Sequence, residues 1–460
     1  MNPATSGQSL PRQEFLKYCR FFIPEKRRIL MFGGRDRDFL ERLQPAFGVV
    51  VNTVPGQDGR FHDGQSAVVI HDITAAELSQ SQEKFDFVII DTILASISDI
   101  QNFLTSLQEK VGPASRIIIN SRNPLLCFLP GRLSPLGGAG AAPRPIRLRR
   151  RDLMNFLTIS GYEVVRVQPY LLFPWSIPLL SSLFNRLLAK LPLLQRCCLR
   201  FLTVARPSSK PDDLRNATVS VVITCRDEEG NIADLVQRIP AMGDKTEIVF
   251  VEGHSTDDTV GKIKEMIAQY PEKDIRLYHQ TGIGQGDAFR LGCERARGDF
   301  LVWLEADLTT PPEEARHIWE AYADGHGEYI NGSRFVYPMA PGAMPPANYL
   351  GNRFFSLVLS LVTGQRFTDT LCGFKGIPKN FYTAIVSRRD FFDALDPFGD
   401  FLLVLGAVKH NLKIAEVPVH YLPRQYGTPK AYGKSFTGLL THAWLLFKIC
   451  WRALIEFRLR

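Results

Sequence analysis

Residues 300–304 (FLVWL) form an apolar run that ends in two carboxylates one residue apart, Glu305 and Asp307, followed by LTTPPEE (308–314). Such a run reads as a buried strand. Along an extended segment residues i and i+2 point the same way, so Glu305 and Asp307 would converge on one point beyond the strand. Oxygen ligands of that kind suit a hard divalent cation, and Mg²⁺ or Mn²⁺ would bridge to a phosphate-bearing ligand. Thr310, Pro311, Glu313 and Glu314 also suit a helix start, where acids complement the dipole. The two readings are compatible, because the acidic pair precedes that helix.

At 460 residues, 45% of them apolar, the chain has length for two or three domains. Its formal charge of +8 fits an anionic partner such as a nucleotide, a lipid phosphate or a membrane surface. The Lys and Arg residues form no single long block, which argues against nucleic acid. Cys19, Cys127, Cys197, Cys198, Cys225, Cys293, Cys372 and Cys450 show no metal-ligand spacing, so thiols in packing roles and a reducing compartment are expected. The start, MNPATSGQSLPRQEF, is polar without an apolar core, and no secretion leader is expected there.

Residues 25–206 alternate strand and helix patterns. ILMFGG (29–34) is a short strand running into a glycine turn, with a helical stretch from Asp38. Further strands are expected at 48–53, 67–70, 85–90, 116–120, 163–168 and 200–205, with helices at 99–110 and 150–160. The alternation predicts a doubly wound α/β sheet. On its glycine turn, FDFVIIDTIL (85–94), RIIIN (116–120), ISGYEVVRV (159–167) and FLTVARP (201–207), this half resembles the class I S-adenosylmethionine-dependent methyltransferases. The resemblance stops where cofactor chemistry would live. Gly33-Gly34 is followed by Arg35-Asp36-Arg37 instead of more glycine, and the ribose-binding acid is replaced by Asn52, or by Asp58 in a loop. A methyltransferase-like Rossmann domain that no longer methylates is expected, without S-adenosylmethionine. Asp72 and Asp91 read as loop residues.

PLLCFLPGRLSPLGGAGAAPRPI (124–146) reads as a long loop opening onto the basic patch 147–151. The stretch 170–199 is apolar, but Pro174, Pro178, Asn185 and Arg186 interrupt any bilayer span. It reads either as a membrane-surface segment, through Trp175, Phe184 and the leucines, or as a buried helical hairpin between domains. PSSKPDDLRNA (207–217) is a linker.

VSVVIT (219–224) opens a second alternating series, continued by EIVFVE (247–252), IRLYHQ (275–280) and the acidic strand. Ser255, Thr256 and Asp257 are expected to cap a helix near Asp258. Polar loops at one end of these strands form the usual ligand crevice of an open sheet. CRDEEGNI (225–232), FVEGHSTDDT (250–259), GQGDAFRLG (284–292), LEADLTTPPE (304–313) and NGSRF (331–335) occur in that order. NYLGNRFFS (348–356), TDTLCGF (368–374), DPFGDF (396–401) and RQYG (424–427) follow. On these blocks residues 219–430 resemble inverting family-2 glycosyltransferases with a GT-A fold, close to the polyprenyl-phosphate (dolichyl-phosphate mannose synthase-like) branch.

The resemblance implies roles. Asp227 or Glu228, with Glu252, would hold the base and ribose of a nucleotide diphosphate sugar, and Asp287 would meet the nucleoside. Glu305 and Asp307 would be the metal pair on the donor diphosphate. Arg334, Arg353 and Arg424 match basic positions of the lipid-phosphate branch, with Lys430 and Lys434 nearby. A hydroxyl acceptor needs a general base, for which Asp369 or Asp400 are candidates; a phosphate acceptor needs none. Asp400, and Asp396 in the same block, also read as structural turn acids. Two departures stand out: Glu305 replaces the usual first aspartate, and Gln285 replaces the lysine of a glycine-lysine-glycine turn, a loss that the lysines of TPKAYGK (428–434) can offset. The tail 435–460, with Trp444, Phe447, Trp451 and Phe457 beside Arg452, Arg458 and Arg460, suits either an amphipathic membrane-surface helix or one packed on the domain.

The expected architecture is a methyltransferase-like Rossmann domain (1–206), a linker (207–217), a GT-A domain (218–434) and an amphipathic C-terminal helix (435–460). The expected reaction moves a hexose from a nucleotide diphosphate sugar to a polyprenyl phosphate or other lipid-linked acceptor, with Mg²⁺ or Mn²⁺, at the cytoplasmic face of a membrane. The alternatives are a saccharide-hydroxyl transferase in surface polysaccharide synthesis, a bifunctional methyl- and glycosyltransferase, and a non-catalytic nucleotide-sugar scaffold.

Overall fold

A computed structural model describes residues 9–33, 37–51, 69–73, 75–97, 99–123, 148–177, 179–191, 193–208, 214–387, 399–427 and 436–459. Gly34, Arg35, Asp36, Asn52, Asp58, Cys127, Asp396, Lys430 and Lys434 lie outside these residues, as do the loop 124–146 and linker positions 209–213. The chain divides into two compact units that part after Ser208.

The N-terminal unit is one seven-stranded sheet in the order β3-β2-β1-β4-β5-β7-β6. Its strands are β1 (Arg28–Phe32), β2 (Phe47–Val51), β3 (Val69–Ile73), β4 (Phe85–Asp91), β5 (Val111–Arg122), β6 (Tyr162–Tyr170) and β7 (Arg200–Pro207). β1 to β5 run parallel, and β7 inserts antiparallel between β5 and β6. One face packs α1 (Leu10–Phe22) and α2 (Arg37–Glu41); the other packs α3 (Ala75–Gln80), α4 (Ile100–Ser106) and α5 (Arg150–Ile159). The sequence reading missed α1. Its apolar spacing at Phe15, Leu16, Cys19 and Phe22 sits among Arg, Lys and Gln, and the sheet supplies the partner that makes the face legible.

Asp72 and Asp91 correct their loop assignment: both lie in strands, β3 and β4. Asp91 accepts a hydrogen bond from Asn120 at 2.7 Å, and burial pushes its carboxyl above the usual range. The hairpin reading of 170–199 is also corrected. Among the described residues this stretch is a series of short turns that holds Leu179, Leu183, Leu187 and Leu193 in solvent.

The C-terminal unit holds a second seven-stranded sheet, β10-β9-β8-β11-β13-β12-β14. It comprises β8 (Val219–Cys225), β9 (Thr246–Glu252), β10 (Asp274–His279), β11 (Phe300–Glu305), β12 (Tyr329–Ser333), β13 (Lys375–Pro378) and β14 (Ile414–Pro418). The first four strands in chain order are parallel neighbours, and β13 pairs antiparallel with β11 and β12. In β11, Phe300, Val302 and Leu304 enter one core while Leu301 and Trp303 enter the other, where Trp303 stacks on Phe289.

The first core is covered by α6 (Glu229–Arg238), α7 (Thr259–Gln269) and α9 (Ala315–Ala323). The second takes α8 (Gln285–Arg295), α10 (Pro346–Thr363), α11 (Lys379–Val386), α12 (Asp400–Lys409) and α13 (Phe436–Leu454). α13 is therefore integral: Leu446, Ile449, Cys450 and Ala453 are buried with Leu359 and Val362, while Trp444, Phe447 and Trp451 remain exposed. Asp258 caps α7, its side chain accepting from Gly261 N, and Asp257 shares the role by accepting from Thr259 N at 3.1 Å while its other oxygen accepts from Glu229 N; Ser255 and Thr256 instead bind the neighbouring β8–α6 turn. Among the described residues six cysteines pack as buried apolar groups and Cys197 is exposed.

Candidate active site

The C-terminal ends of β8, β9 and β11 open on one side of the sheet, and the acids of the sequence motifs stand there. After β8 the chain turns through Asp227 at φ 48°, held by Thr256, whose N–H and hydroxyl donate to Asp227 Oδ1 at 2.6 and 3.0 Å. Glu228 is buried and accepts from Asn231 Nδ2 at 2.6 Å. Glu252 ends β9. Burial opposes its ionisation, but the Ser255 N–H and His279 (Nδ1 at 3.1 Å) outweigh it and hold the carboxyl below its usual range. Asp287, in the first turn of α8, accepts from Gly282 N at 3.1 Å and faces Arg290 at 3.7 Å.

Glu305 and Asp307 line one cleft with Thr309, Thr310, Arg334 and Tyr421. Strand alternation is not the reason, which corrects the sequence argument. β11 stops at Glu305, the chain turns at 306–307, and Leu308 sits at φ 55°. Glu305 accepts from Gln285 Nε2 at 2.8 Å and lies under Gly373, where a Cβ would meet Glu305 Oε1 at 2.4 Å. Burial first, then the charge of Asp307, push Glu305 up to about 7. Asp307 Oδ1 accepts from Thr309 Oγ1 at 2.7 Å.

The other Asp307 oxygen accepts from Arg424 Nη2 at 2.8 Å, and Arg424 Nη1 donates to Glu228 at 2.7 Å. One guanidinium thus ties an acid after β8 to an acid after β11. Leu422 N–Thr309 O at 2.7 Å anchors the segment that carries it.

Beneath the cleft lies a buried ionic layer. Arg334 follows β12 and grips both oxygens of Asp369 at 2.7 and 2.9 Å, with Asp369 wholly buried. Burial alone would raise the Asp369 carboxyl; the Arg334 charge prevails and holds it below its usual range. Beside it Lys375, a buried lysine in β13, pairs with Asp400 at 2.7 Å. Of the two candidate bases, Asp369 has both oxygens on Arg334 and Asp400 is paired with Lys375. Arg353 is exposed on α10 against Tyr349 and Phe335.

Residues 220–395 match the family described as Glycosyl transferase family 2. The C-terminal unit carries a family 2 glycosyl transferase domain. The curated relatives fall on the same stretch. A Haloferax volcanii protein named low-salt glycan biosynthesis hexosyltransferase Agl6 is 29% identical over 217 residues, covering 45% of this chain and 48% of that one. A Pyrococcus furiosus dolichol-phosphate mannosyltransferase is 30% identical over 235 residues, 50% of this chain and 64% of that one. A Pseudomonas fluorescens undecaprenyl-phosphate 4-deoxy-4-formamido-L-arabinose transferase is 24% identical, covering 46% and 59%. The chain spans less than two thirds of the length of each. Among solved structures, Mycobacterium tuberculosis glucosyl-3-phosphoglycerate synthase with Mn²⁺, uridine diphosphate and phosphoglyceric acid aligns at TM-score 0.39 and 17% identity, over 53% of this chain and 84% of that one.

Within the glycosyl transferase domain, Glu228, Asp307 and Arg424 form one ion-pair chain, and Glu305 and Arg334 share the cleft of Asp307. Asp227, Glu252 and Asp287 stand at neighbouring strand and helix ends, each held by backbone N–H groups. Tyr421 and Lys375 were not anticipated. Lys375 carried a signal, a lysine opening a strand whose residues are all buried; Tyr421, in irregular chain, carried none. Among the described residues no group of three or more His, Cys, Asp or Glu side chains is placed to hold a metal ion. Two carboxylates facing one cleft still fit a hard cation whose remaining ligands come from phosphate and water.

Proposed function

We propose that the glycosyl transferase domain moves a hexose from a nucleoside diphosphate sugar to a polyprenyl phosphate, with inversion, at the cytoplasmic face of a membrane. The Glu228–Arg424–Asp307 chain carries the reading, because it joins the nucleoside end of the crevice to the phosphate end through one cation. The relatives' names supply the substrate classes. Glu252, Asp227, Asp287 and Glu228 would hold base and ribose, and Glu305 with Asp307 would hold Mg²⁺ or Mn²⁺. When bound, that cation would neutralise charge on the departing diphosphate.

An acceptor phosphate oxygen attacks the anomeric carbon from the face opposite the diphosphate. The carbon–oxygen bond to the diphosphate breaks, and its electron pair leaves with the nucleoside diphosphate. A phosphate is already ionised and needs no general base, which suits a site whose two base candidates, Asp369 and Asp400, are both paired. Arg334, held by Asp369, and Arg424, once drawn off Asp307, would grip phosphate oxygens.

We read the N-terminal unit as methyltransferase-like from its strand order and antiparallel β7, and as inactive in methylation. Gly33 sits at φ +86°, and a Cβ there would meet Ile93 Cγ2 at 2.0 Å and Asp91 O at 2.4 Å. Position 33 therefore has to be glycine for the turn to pack against β4, and the reading of an inactive unit rests on Arg35-Asp36-Arg37 and Asn52 standing where a cofactor would need glycine and an acid.

The decisive experiment incubates purified protein with labelled sugar nucleotides and either polyprenyl phosphate or a soluble oligosaccharide, with and without chelator. Label entering lipid only, and only with metal, is the expected result. Label in the saccharide alone overturns the proposal in favour of a hydroxyl acceptor.

A further inference from the structure

The N-terminal unit exposes a cluster of apolar side chains that its fold does not use. Between 175 and 193 the described residues Trp175, Ile177, Leu183 and Leu187 are close to half exposed, and Leu179 and Leu193 are 87% exposed. They are held there by construction. Asn185 is buried and clamps Phe173 twice at 2.8 Å, accepting from its N–H and donating to its C=O. Phe173 packs on Trp175 and Phe184. Asn123 donates to Arg196 O at 3.1 Å and Cys198 O at 2.8 Å, tying down the far end. A tethered turn that presents leucines and a tryptophan outward is an interaction surface, because a soluble unit gains nothing by ordering them in water.

Charge identifies the partner. From Val164 to Pro211 the chain contains no Asp or Glu, while Arg186, Lys190 and Arg196 punctuate the apolar lobe. A second copy of this surface would bring like charges together with no acid to answer them. A bilayer with anionic headgroups answers both features, taking leucine and tryptophan into its interface and the cations at its surface. No helix among the described residues is long and apolar enough to cross a membrane, so contact is with the surface.

We propose that residues 175–193 of the N-terminal unit form a membrane-surface anchor selective for anionic lipid, separate from the C-terminal helix. This inference does not rest on the transferase reading. Its test uses the full chain carrying Leu179→Glu and Leu193→Glu, at side chains exposed enough for the fold to tolerate charge. Flotation with vesicles of phosphatidylcholine alone or mixed with phosphatidylglycerol reads binding; binding of sugar nucleotide with Mn²⁺ reads the other unit. The double variant should bind mixed vesicles about tenfold or more weakly, with sugar-nucleotide binding unchanged. In a Trp444→Phe, Trp451→Phe background, Trp175 is the exposed tryptophan, since Trp303 and Trp319 are buried, and brominated lipid should quench it. Unchanged vesicle binding with an unquenched Trp175 overturns the anchor. Loss of a dimer by sedimentation in the double variant, with vesicle binding intact, overturns it in favour of a second copy.

Discussion

Arg424 stands on Asp307, with Nη2 2.8 Å from Oδ2, so a cation already occupies one face of the acidic pair. Its other arm holds Glu228, and together they keep two acids from facing each other unscreened. Replacing Arg424 with Ala removes that cation and a proposed phosphate ligand. Transfer should slow by tens to hundreds of times, from about 2–4 kcal/mol of lost transition-state binding. Sugar-nucleotide affinity measured by calorimetry should stay within a few-fold of wild type; a parallel collapse of donor binding would show that Arg424 acts on the donor instead.

Asp369 holds Arg334 in a wholly buried bidentate pair. Asp369→Ala strands a buried guanidinium and should cost about 3–5 kcal/mol in chemical denaturation. The pair also sets an acid limit. Because Asp369 titrates below its usual 3.8 in the folded chain, its contribution is complete above that value and is lost as pH falls through the depressed folded value. Melting temperature should therefore drop more steeply below pH 4 in wild type than in the variant.

Glu305 behaves oppositely. Its folded carboxyl titrates at about 7 against a usual 4.5, so between those values the folded chain holds a proton that the unfolded chain has released. Stability falls as pH rises through that window. In metal-free buffer Glu305→Gln should stabilise the C-terminal unit at pH 8 by on the order of 1–3 kcal/mol and do little at pH 4.5. Equal shifts at both pH values would refute the titration argument.

S-Adenosylmethionine at micromolar concentration should give no saturable heat with the full chain, because Arg35-Asp36-Arg37 and Asn52 replace the glycines and the acid that would hold it. A saturable heat that is lost in a Gly33→Val variant would restore the bifunctional reading.

Deleting α13 is a poor probe of membrane contact, since Leu446, Ile449 and Ala453 belong to the core and the truncated unit should unfold. Trp444→Ala with Trp451→Ala keeps that face and removes the exposed one. The pair should weaken vesicle flotation several-fold with a melting temperature near wild type.

Both alternating strand–helix series and the motif blocks of the second unit were legible in the sequence, because buried strands are apolar runs and glycine turns announce themselves locally. That the acids after β8, β9 and β11 would share a side was also foreseeable, since strand ends of a parallel sheet do; that Arg334 lines the cleft of Glu305 and Asp307, and that Arg424 reaches Asp307, was not. Pairing was not. Nothing local says that Asp369 is consumed by Arg334, that Lys375 meets Asp400, or that Arg424 reaches back to Glu228, 196 residues away. The turn at Ala306–Asp307, which replaced the expected strand alternation, was equally hidden. Ion pairs over such separations depend on which strands become neighbours and on where the chain crosses the sheet edge. Those are properties of the whole packed unit, because a buried charge takes whichever opposite charge the tertiary fold leaves within reach.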